Sequence, residues 1–348
     1  MLKKILAILI SFSFLINLAA CSKHEKTRYE AEFLMLFDTV TKIIAYTDSK
    51  EEFTKYSQLI YDELKTYHQL YDIYNDYPSI NNIKTINDNA GIKPVKVDKK
   101  IIDLLLFSKE WNKNTEGKLN IALGAVLKIW HKHREEGIED PDNATLPSMA
   151  ELEEAKKHTD INKVIIDEKN STVFLEDPKM SLDVGGVGKG YATEQVCRYA
   201  IEKGFTSGVL SVGGNVRAIG TKGDSDELWN LGIQNPDKES TEATVKVVYL
   251  TDESLVSSGV YERYYTVNGK QYHHIIDPDT LFPADYYSQV TILTPDSGVA
   301  DAATKAAFIM PFDKALKFVN SRSDIEAMWV FKNGDIKYSD GFEKYVKK

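Results

Sequence analysis

Arg263-Tyr264-Tyr265-Thr266-Val267-Asn268-Gly269-Lys270-Gln271-Tyr272-His273-His274-Ile275-Ile276 reads as two β-rich runs joined by an Asn-Gly pair. Asn-Gly tolerates the positive φ that a tight two-residue turn demands, so the stretch is a β-hairpin. The same pattern recurs on both sides. Val164-Ile165-Ile166 and Thr172-Val173-Phe174-Leu175 flank a polar turn within residues 163–176, and residues 327–338 turn at Asn333-Gly334. Single strands are expected at 41–46, 208–212, 244–250 and 288–293, and helices at 188–203, 298–310 and 312–320. Strands joined mainly to one another, and not each to a helix, predict an α+β fold with mostly antiparallel strands in place of a parallel doubly wound sheet. No long internal repeat is present.

Towards the N-terminus the period changes. Phe53, Tyr56, Ile60, Leu64, Tyr67 and Tyr71 recur at steps of three and four, which puts one apolar stripe of a helix against a core. These tyrosines read as packing residues. Asp98 caps a second helical run through Ile101, Ile102, Leu105 and Trp111, and Gly117 follows its end. Residues 131–160 are charged, with His131, His133 and His158 among Lys and Glu. No carboxylate or cysteine lies at ligand spacing, so solvated surface, with a short helix over 148–158, accounts for these histidines better than a metal does.

The chain has 348 residues, 43% hydrophobic and 27% charged, which is ordinary globular composition and long enough for a core that positions a cleft. A formal charge of −9 repels a polyphosphate backbone and argues against nucleic acid as a partner. Its two cysteines, Cys21 and Cys197, form no disulfide framework or metal knuckle, and Cys197 reads as a buried structural thiol. Lys3 and Lys4 precede an apolar run from Ile5 to Ile16, and Leu18-Ala19-Ala20-Cys21 closes it with small residues. The run is shorter than the ~20 residues a spanning helix needs, so it reads as a secretion signal ending in a lipobox. On this reading residues 1–20 are removed, Cys21 carries the lipid, 21–32 is a tether and 33–348 is an extracytoplasmic domain anchored to the cell membrane.

The segment richest in chemistry is Asp183-Val184-Gly185-Gly186-Val187-Gly188-Lys189-Gly190-Tyr191-Ala192. Glycines ahead of a helix let backbone amides approach a phosphate, and Lys189 adds a cation. The spacing fits neither the Walker loop nor the dinucleotide fingerprint, so a tight strand-to-helix connection explains it equally well when taken alone. Three further segments follow: Val212-Gly213-Gly214-Asn215-Val216, Ser257-Ser258-Gly259-Val260-Tyr261-Glu262-Arg263-Tyr264, and His273-His274-Ile275-Ile276-Asp277-Pro278-Asp279-Thr280. Alternation places the paired histidines on opposite faces of a strand, so one of them must leave the core. Ala300-Asp301-Ala302-Ala303-Thr304 then opens an alanine-rich helix with a carboxylate near its start.

In this order, together with Leu36-Phe37-Asp38-Thr39-Val40-Thr41, Tyr71-Asp72-Ile73-Tyr74-Asn75 and Gly117-Lys118-Leu119-Asn120-Ile121-Ala122-Leu123-Gly124, the segments resemble the ApbE family over about residues 33–320. That family comprises flavin transferases that move FMN from FAD onto a protein threonine. The resemblance implies a FAD:protein FMN transferase with FAD as substrate, Mg²⁺ as metal, AMP as leaving group and an exported acceptor protein as partner. It implies His274 as general base, with Asp301 also catalytic. Gly188, Asp301 and Thr304 would hold the metal. Lys189 would lie on the phosphates, and Thr39, Tyr74, Asn75, Asp183, Glu262 and His274 would touch the dinucleotide. Two other outcomes are carried: a FAD pyrophosphatase in which water replaces threonine, and a non-catalytic FAD-binding lipoprotein.

Two positions depart from the family pattern. Lys305 stands four residues after Asp301, where the family usually has Thr, with Thr304 one place earlier. An ammonium ~4 Å from a divalent ion repels it by about 8 kcal/mol at an effective dielectric of 20. Either Thr304 substitutes after a small rotation and Lys305 turns away, or Lys305 enters the site, where it weakens Mg²⁺ binding or the amine itself takes the cation's place. Leu281 stands where Gly is common after the Asp-Pro-x-Thr stretch, and a side chain there would reshape the turn.

Overall fold

A computed structural model describes residues 25–346. Its centre is one sheet of eight strands, Thr27–Leu36, Thr39–Thr47, Gly208–Val212, Asn215–Ile219, Ser254–Gly259, Tyr287–Thr294, Glu326–Phe331 and Ile336–Tyr338. The strands lie in the sheet in the order in which the chain visits them, and every neighbouring pair is antiparallel. Two-residue periodicity divides the sheet between two cores. Ile43, Ala45, Leu210, Val212, Val256, Ile292 and Trp329 face the helices, whereas Val209, Ala218, Leu255, Leu293, Met328 and Val330 face the hairpin Trp229–Gln234/Thr244–Leu250 and Phe342. The α+β expectation holds.

The apolar stripe reads as predicted. The helix Lys50–Tyr71 is capped by Ser49, which accepts from the Glu52 amide, and all six predicted stripe residues are buried. Asp98 caps Lys99–Asn114 through the Lys100 amide. The helices Gly188–Glu202, Ser297–Ile309 and Phe312–Asn320 lie within a residue or two of their expected limits. So does the hairpin Val164–Asp167/Thr172–Leu175, while the hairpin Tyr264–Val267/Lys270–His273 keeps the expected turn but ends at His273, short of the expected 276. A third core gathers Leu123, Val126, Trp130, Tyr265, Val267 and Leu281 beside the second of these hairpins.

Three expectations need correction. Residues 27–32 belong to the first strand of the sheet, paired from Thr27↔Thr47 to Phe33↔Thr41, so the tether expected over 21–32 gives way to sheet at Thr27. Polar Arg28, Glu30 and Glu32 sit there because this is an edge strand with one face in solvent. The strands Asn215–Ile219, Trp229–Gln234 and Ser254–Gly259 were not expected, since Asn, Gly and Ser interrupt their patterns. Residues 131–139 continue a helix, Gly124–Glu139, which reaches the site described next. The signal segment 1–20 and Cys21 lie outside the described residues. Cys197 is buried, and burial pushes its thiol pKa up, as a structural thiol requires.

Candidate active site

Above the helix-facing side of the sheet lies a cleft of about 530 Å³, within the range of small-molecule sites. It gathers motifs from distant parts of the chain: Thr39, Tyr74, Asn75, Asp183, Gly188, Lys189, Glu262 and His274 all line it. The glycine segment forms one wall. Asp183 is fixed by its amide to the Ile121 carbonyl at 2.8 Å, and its Oδ1 accepts from the Gly185 amide at 2.8 Å. Burial raises its pKa, opposed by that amide. Gly188 opens the helix by donating to the Val184 carbonyl at 2.7 Å. Thr39 packs on Gly213, whose φ is +53° and where a Cβ would lie 2.5 Å from Thr39 Oγ1.

Asp72 builds a second wall. Its carboxylate accepts from the amides of Tyr74 and Asn75 at 2.6 and 3.0 Å, from Asn75 Nδ2 at 3.0 Å and from the Tyr77 hydroxyl at 2.7 Å. Burial opposes its ionisation, yet these donors hold its pKa below the usual range. The loop is thereby set so that the ring of Tyr74, a residue 56% exposed, lies 5.4 Å from the His131 ring at 30°. His131 is therefore part of the cleft wall and not only solvated surface, and Arg134 donates to its Nδ1 at 2.5 Å. His158 instead pairs with Asp177 at 2.9 Å, away from the cleft.

The paired histidines separate as alternation requires. His273 is buried, donating through Nε2 to the Ala284 carbonyl at 2.8 Å while Nδ1 accepts from the Ile275 amide at 3.2 Å. His274 lines the cleft and donates through Nδ1 to the Arg263 carbonyl at 3.2 Å, which leaves Nε2 as an acceptor. Burial, with Lys305 and Arg263 nearby, pushes its pKa well below the ordinary value, so the imidazole is neutral at pH 7. The Lys189 ammonium has no hydrogen bond or ion pair among the described residues, and burial brings its pKa down to about 8 against the opposing pull of Asp301.

Asp301 does not line the cleft. It is fully buried, with Oδ2 accepting from the Gly190 amide at 2.9 Å and Asn215 Nδ2 at 3.0 Å, and Oδ1 accepting from Lys305 Nζ at 2.9 Å. Burial acts to raise its pKa, but Lys305 and Lys189 hold the carboxyl below the usual range. Thr304 is also fully buried, and its hydroxyl donates to the Ala300 carbonyl one turn back. The structure thus decides between the two arrangements open at Asp301. Thr304 stays in the helix packing, and Lys305 enters the cleft wall, where its ammonium also donates to Ser258 Oγ at 2.9 Å.

A divalent cation does not fit these residues. Asp301 Oδ2 already accepts from Gly190 and Asn215, its Oδ1 faces an ammonium that would repel a second cation, and Thr304 is fully buried and does not line the cleft. No cluster of three or more His, Cys, Asp or Glu able to hold a metal occurs among the described residues.

Sequence reasoning missed several wall residues. Lys118 is held by Asp277 and Asp279 at 2.7 and 2.8 Å, and burial, with the Arg263 charge nearby, lowers the pKa of Arg134. Ser258 and Asn215 lie inside quoted motifs, but nothing in their spacing marks them as partners of Lys305 and Asp301.

A profile of the ApbE family matches residues 37–329. A FAD:protein FMN transferase of Klebsiella pneumoniae is 30% identical over 277 residues, covering 77% of this chain and 82% of the relative. One of Treponema pallidum is 31% identical over 278 residues, covering 76% and 75%. Among solved structures, the ApbE protein of Thermotoga maritima superposes with a TM-score of 0.80 at 28% identity, covering 92% of this chain and all of that one. The flavin transferase ApbE of Vibrio cholerae gives 0.72 at 20% identity, a likeness of fold.

Proposed function

This chain belongs to the ApbE family, and from that membership we propose that it is a FAD:protein FMN transferase. The observation that carries the reading is that a neutral His274, its Nε2 free to accept a proton, shares one cleft with the cations Lys189, Lys305 and Arg263. Transfer of a phosphoryl-linked group is mainly positioning and charge neutralisation, with a base for the incoming hydroxyl. The cleft holds each of those elements.

In the proposed reaction the pyrophosphate of FAD sits among the cations beside the glycine segment. The Tyr74 ring, backed by His131, offers a flat apolar face to a heterocycle. A threonine hydroxyl of an exported acceptor protein gives its proton to Nε2 of His274 and attacks the FMN-side phosphorus. The bond to the bridging oxygen breaks and AMP departs with the electron pair. The Arg263 carbonyl orients the ring by accepting from Nδ1–H. The bound pyrophosphate counters the cations that depress the His274 pKa, which strengthens the base when substrate is present.

The Mg²⁺ dependence that the resemblance implies finds no support in the donors around Asp301, and no step is assigned to a metal. We propose further that the domain works outside the cytoplasm, removed from its signal after Ala20 and held to the membrane by lipidated Cys21. Loss of labelled fatty-acid incorporation in Cys21→Ser would support that anchor.

Incubation with FAD and a candidate acceptor, following AMP release alongside in-gel flavin fluorescence, tests the reaction. Covalent flavin with matching AMP is expected, and His274→Ala should slow it by roughly 10² to 10⁴ while FAD affinity persists. AMP without covalent flavin for any acceptor would assign a pyrophosphatase instead, and bound FAD with neither product would assign a binding lipoprotein.

A further inference from the structure

We infer that the ammonium of Lys305 takes the place of a divalent cation in this chain, so that the dinucleotide's pyrophosphate is bound by side-chain cations without metal. The inference rests on the FAD reading above but concerns this chain's own departure at Lys305.

The geometry is that of a fixed charge with one donor to spare. Lys305 and Asp301 lie four residues apart on the helix Ser297–Ile309, hence on one face. Within that helix every residue but Val299 and Lys305 is buried. Alanines surround the pair, so the Lys305 stem is confined, its side chain only 15% exposed. Of the three N–H groups of the ammonium, one goes to Asp301 Oδ1 and one to Ser258 Oγ, both at 2.9 Å. The third has no partner among the described residues, and Lys305 lines the cleft.

Asp301 is fixed just as firmly. Its two oxygens accept from the helix Gly188–Glu202 through Gly190, from the strand Asn215–Ile219 through Asn215, and from Lys305. Its charge is spent on holding the ammonium, and a metal arriving from the cleft would meet Lys305 first. Such an ion would have to expel the lysine or coordinate beside it, against like-charge repulsion. Lys189, unpaired in the same cleft, supplies a second positive group. An oxyanion bridging these two ammonium groups receives the neutralisation that a metal would otherwise provide, with no dissociable part.

The test is FAD binding by the purified domain, measured by flavin fluorescence quenching in EDTA and in millimolar Mg²⁺, with Mg²⁺ alone titrated calorimetrically. The wild-type chain should bind FAD equally well in both media and give no saturable Mg²⁺ heat. Lys305→Thr should lose affinity by roughly tenfold or more in EDTA, as expected for a charge-assisted contact, and regain it with Mg²⁺. Lys305→Arg, which keeps the charge, should remain indifferent to EDTA, and circular dichroism with thermal melts confirms that each variant folds. Wild-type affinity that falls tenfold in EDTA and returns with Mg²⁺ would overturn the inference, as would a Lys305→Thr variant that behaves like wild type in both media. Failure of the wild-type chain to bind FAD in either medium would instead sink the dinucleotide reading itself.

Discussion

The backbone amide of Gly190 donates to Oδ2 of Asp301 at 2.9 Å, and a Cβ on Gly190 would stand 2.4 Å from Asp301 Cβ and 2.4 Å from the Ser297 carbonyl oxygen. Two helices meet there backbone against side chain, which only glycine allows. Gly190 is therefore required less for phosphate approach than for packing, and the same contact orients the carboxylate that holds Lys305. Gly190→Ala should cost about 3 kcal/mol or more, since the Ser297 carbonyl and the Asp301 Cβ, both held by the same helix, resist displacement. Urea denaturation measures this. A loss below about 1 kcal/mol would show that the helices separate easily.

Glu194 ties the same helix to its neighbours. Its carboxylate accepts from buried Arg217 Nε at 3.1 Å, from the Ser297 amide at 3.0 Å and from Arg198 Nε at 2.9 Å. Removing it leaves a guanidinium in the interior without its counter-charge. Glu194→Ala should destabilise by about 3–5 kcal/mol. A double-mutant cycle with Arg217→Met should recover part of that loss, and strict additivity would show that the pair is not coupled.

Leu281 sits at φ 63° and is 2% exposed, packed in the core around Trp130, whose Nε1 donates to the Leu281 carbonyl at 2.8 Å. Two effects oppose each other in Leu281→Gly. Glycine relieves about 1–2 kcal/mol of left-handed strain, but loss of a buried leucine costs about 2–5 kcal/mol. Burial wins, and a net loss of roughly 1–3 kcal/mol is expected. A higher melting temperature in the variant would reverse that balance.

His273 links stability to acid. Burial lowers its pKa to about 4, with the bond to the Ala284 carbonyl opposing. The unfolded side chain takes up a proton near pH 6.5, whereas the folded one resists until about 4. Above about pH 6.5 the ring is neutral in both states and adds no pH dependence, and stability falls progressively as the pH drops from 6.5 towards 4, by up to about 3 kcal/mol. The stability difference between wild type and His273→Gln should narrow over that window. A difference that stays constant would place the His273 pKa near its ordinary value.

Much of the scaffold could be read directly. The six-residue stripe of Lys50–Tyr71, the cap at Asp98 and the Asn-Gly turns are local patterns that need no distant partner, and they fall where expected. The strands Asn215–Ile219 and Ser254–Gly259 could not be read this way. Their Asn, Arg and Ser side chains are buried because Arg217 meets Glu194 and Asn215 meets Asp301, contacts that close only in three dimensions. Likewise His131 looked like one more charge on a polar helix until the loop ordered by Asp72 brought Tyr74 against it.

By itself the sequence determined the α+β class, the order of the motifs and the membership that their order betrays, because turn chemistry, periodicity and motif spacing are written along the chain. It also marked Lys305 as out of place, without saying where the amine goes. Only the tertiary structure decided that: helix geometry puts both Thr304 and Lys305 near Asp301, and close packing leaves room on the cleft side for the lysine alone.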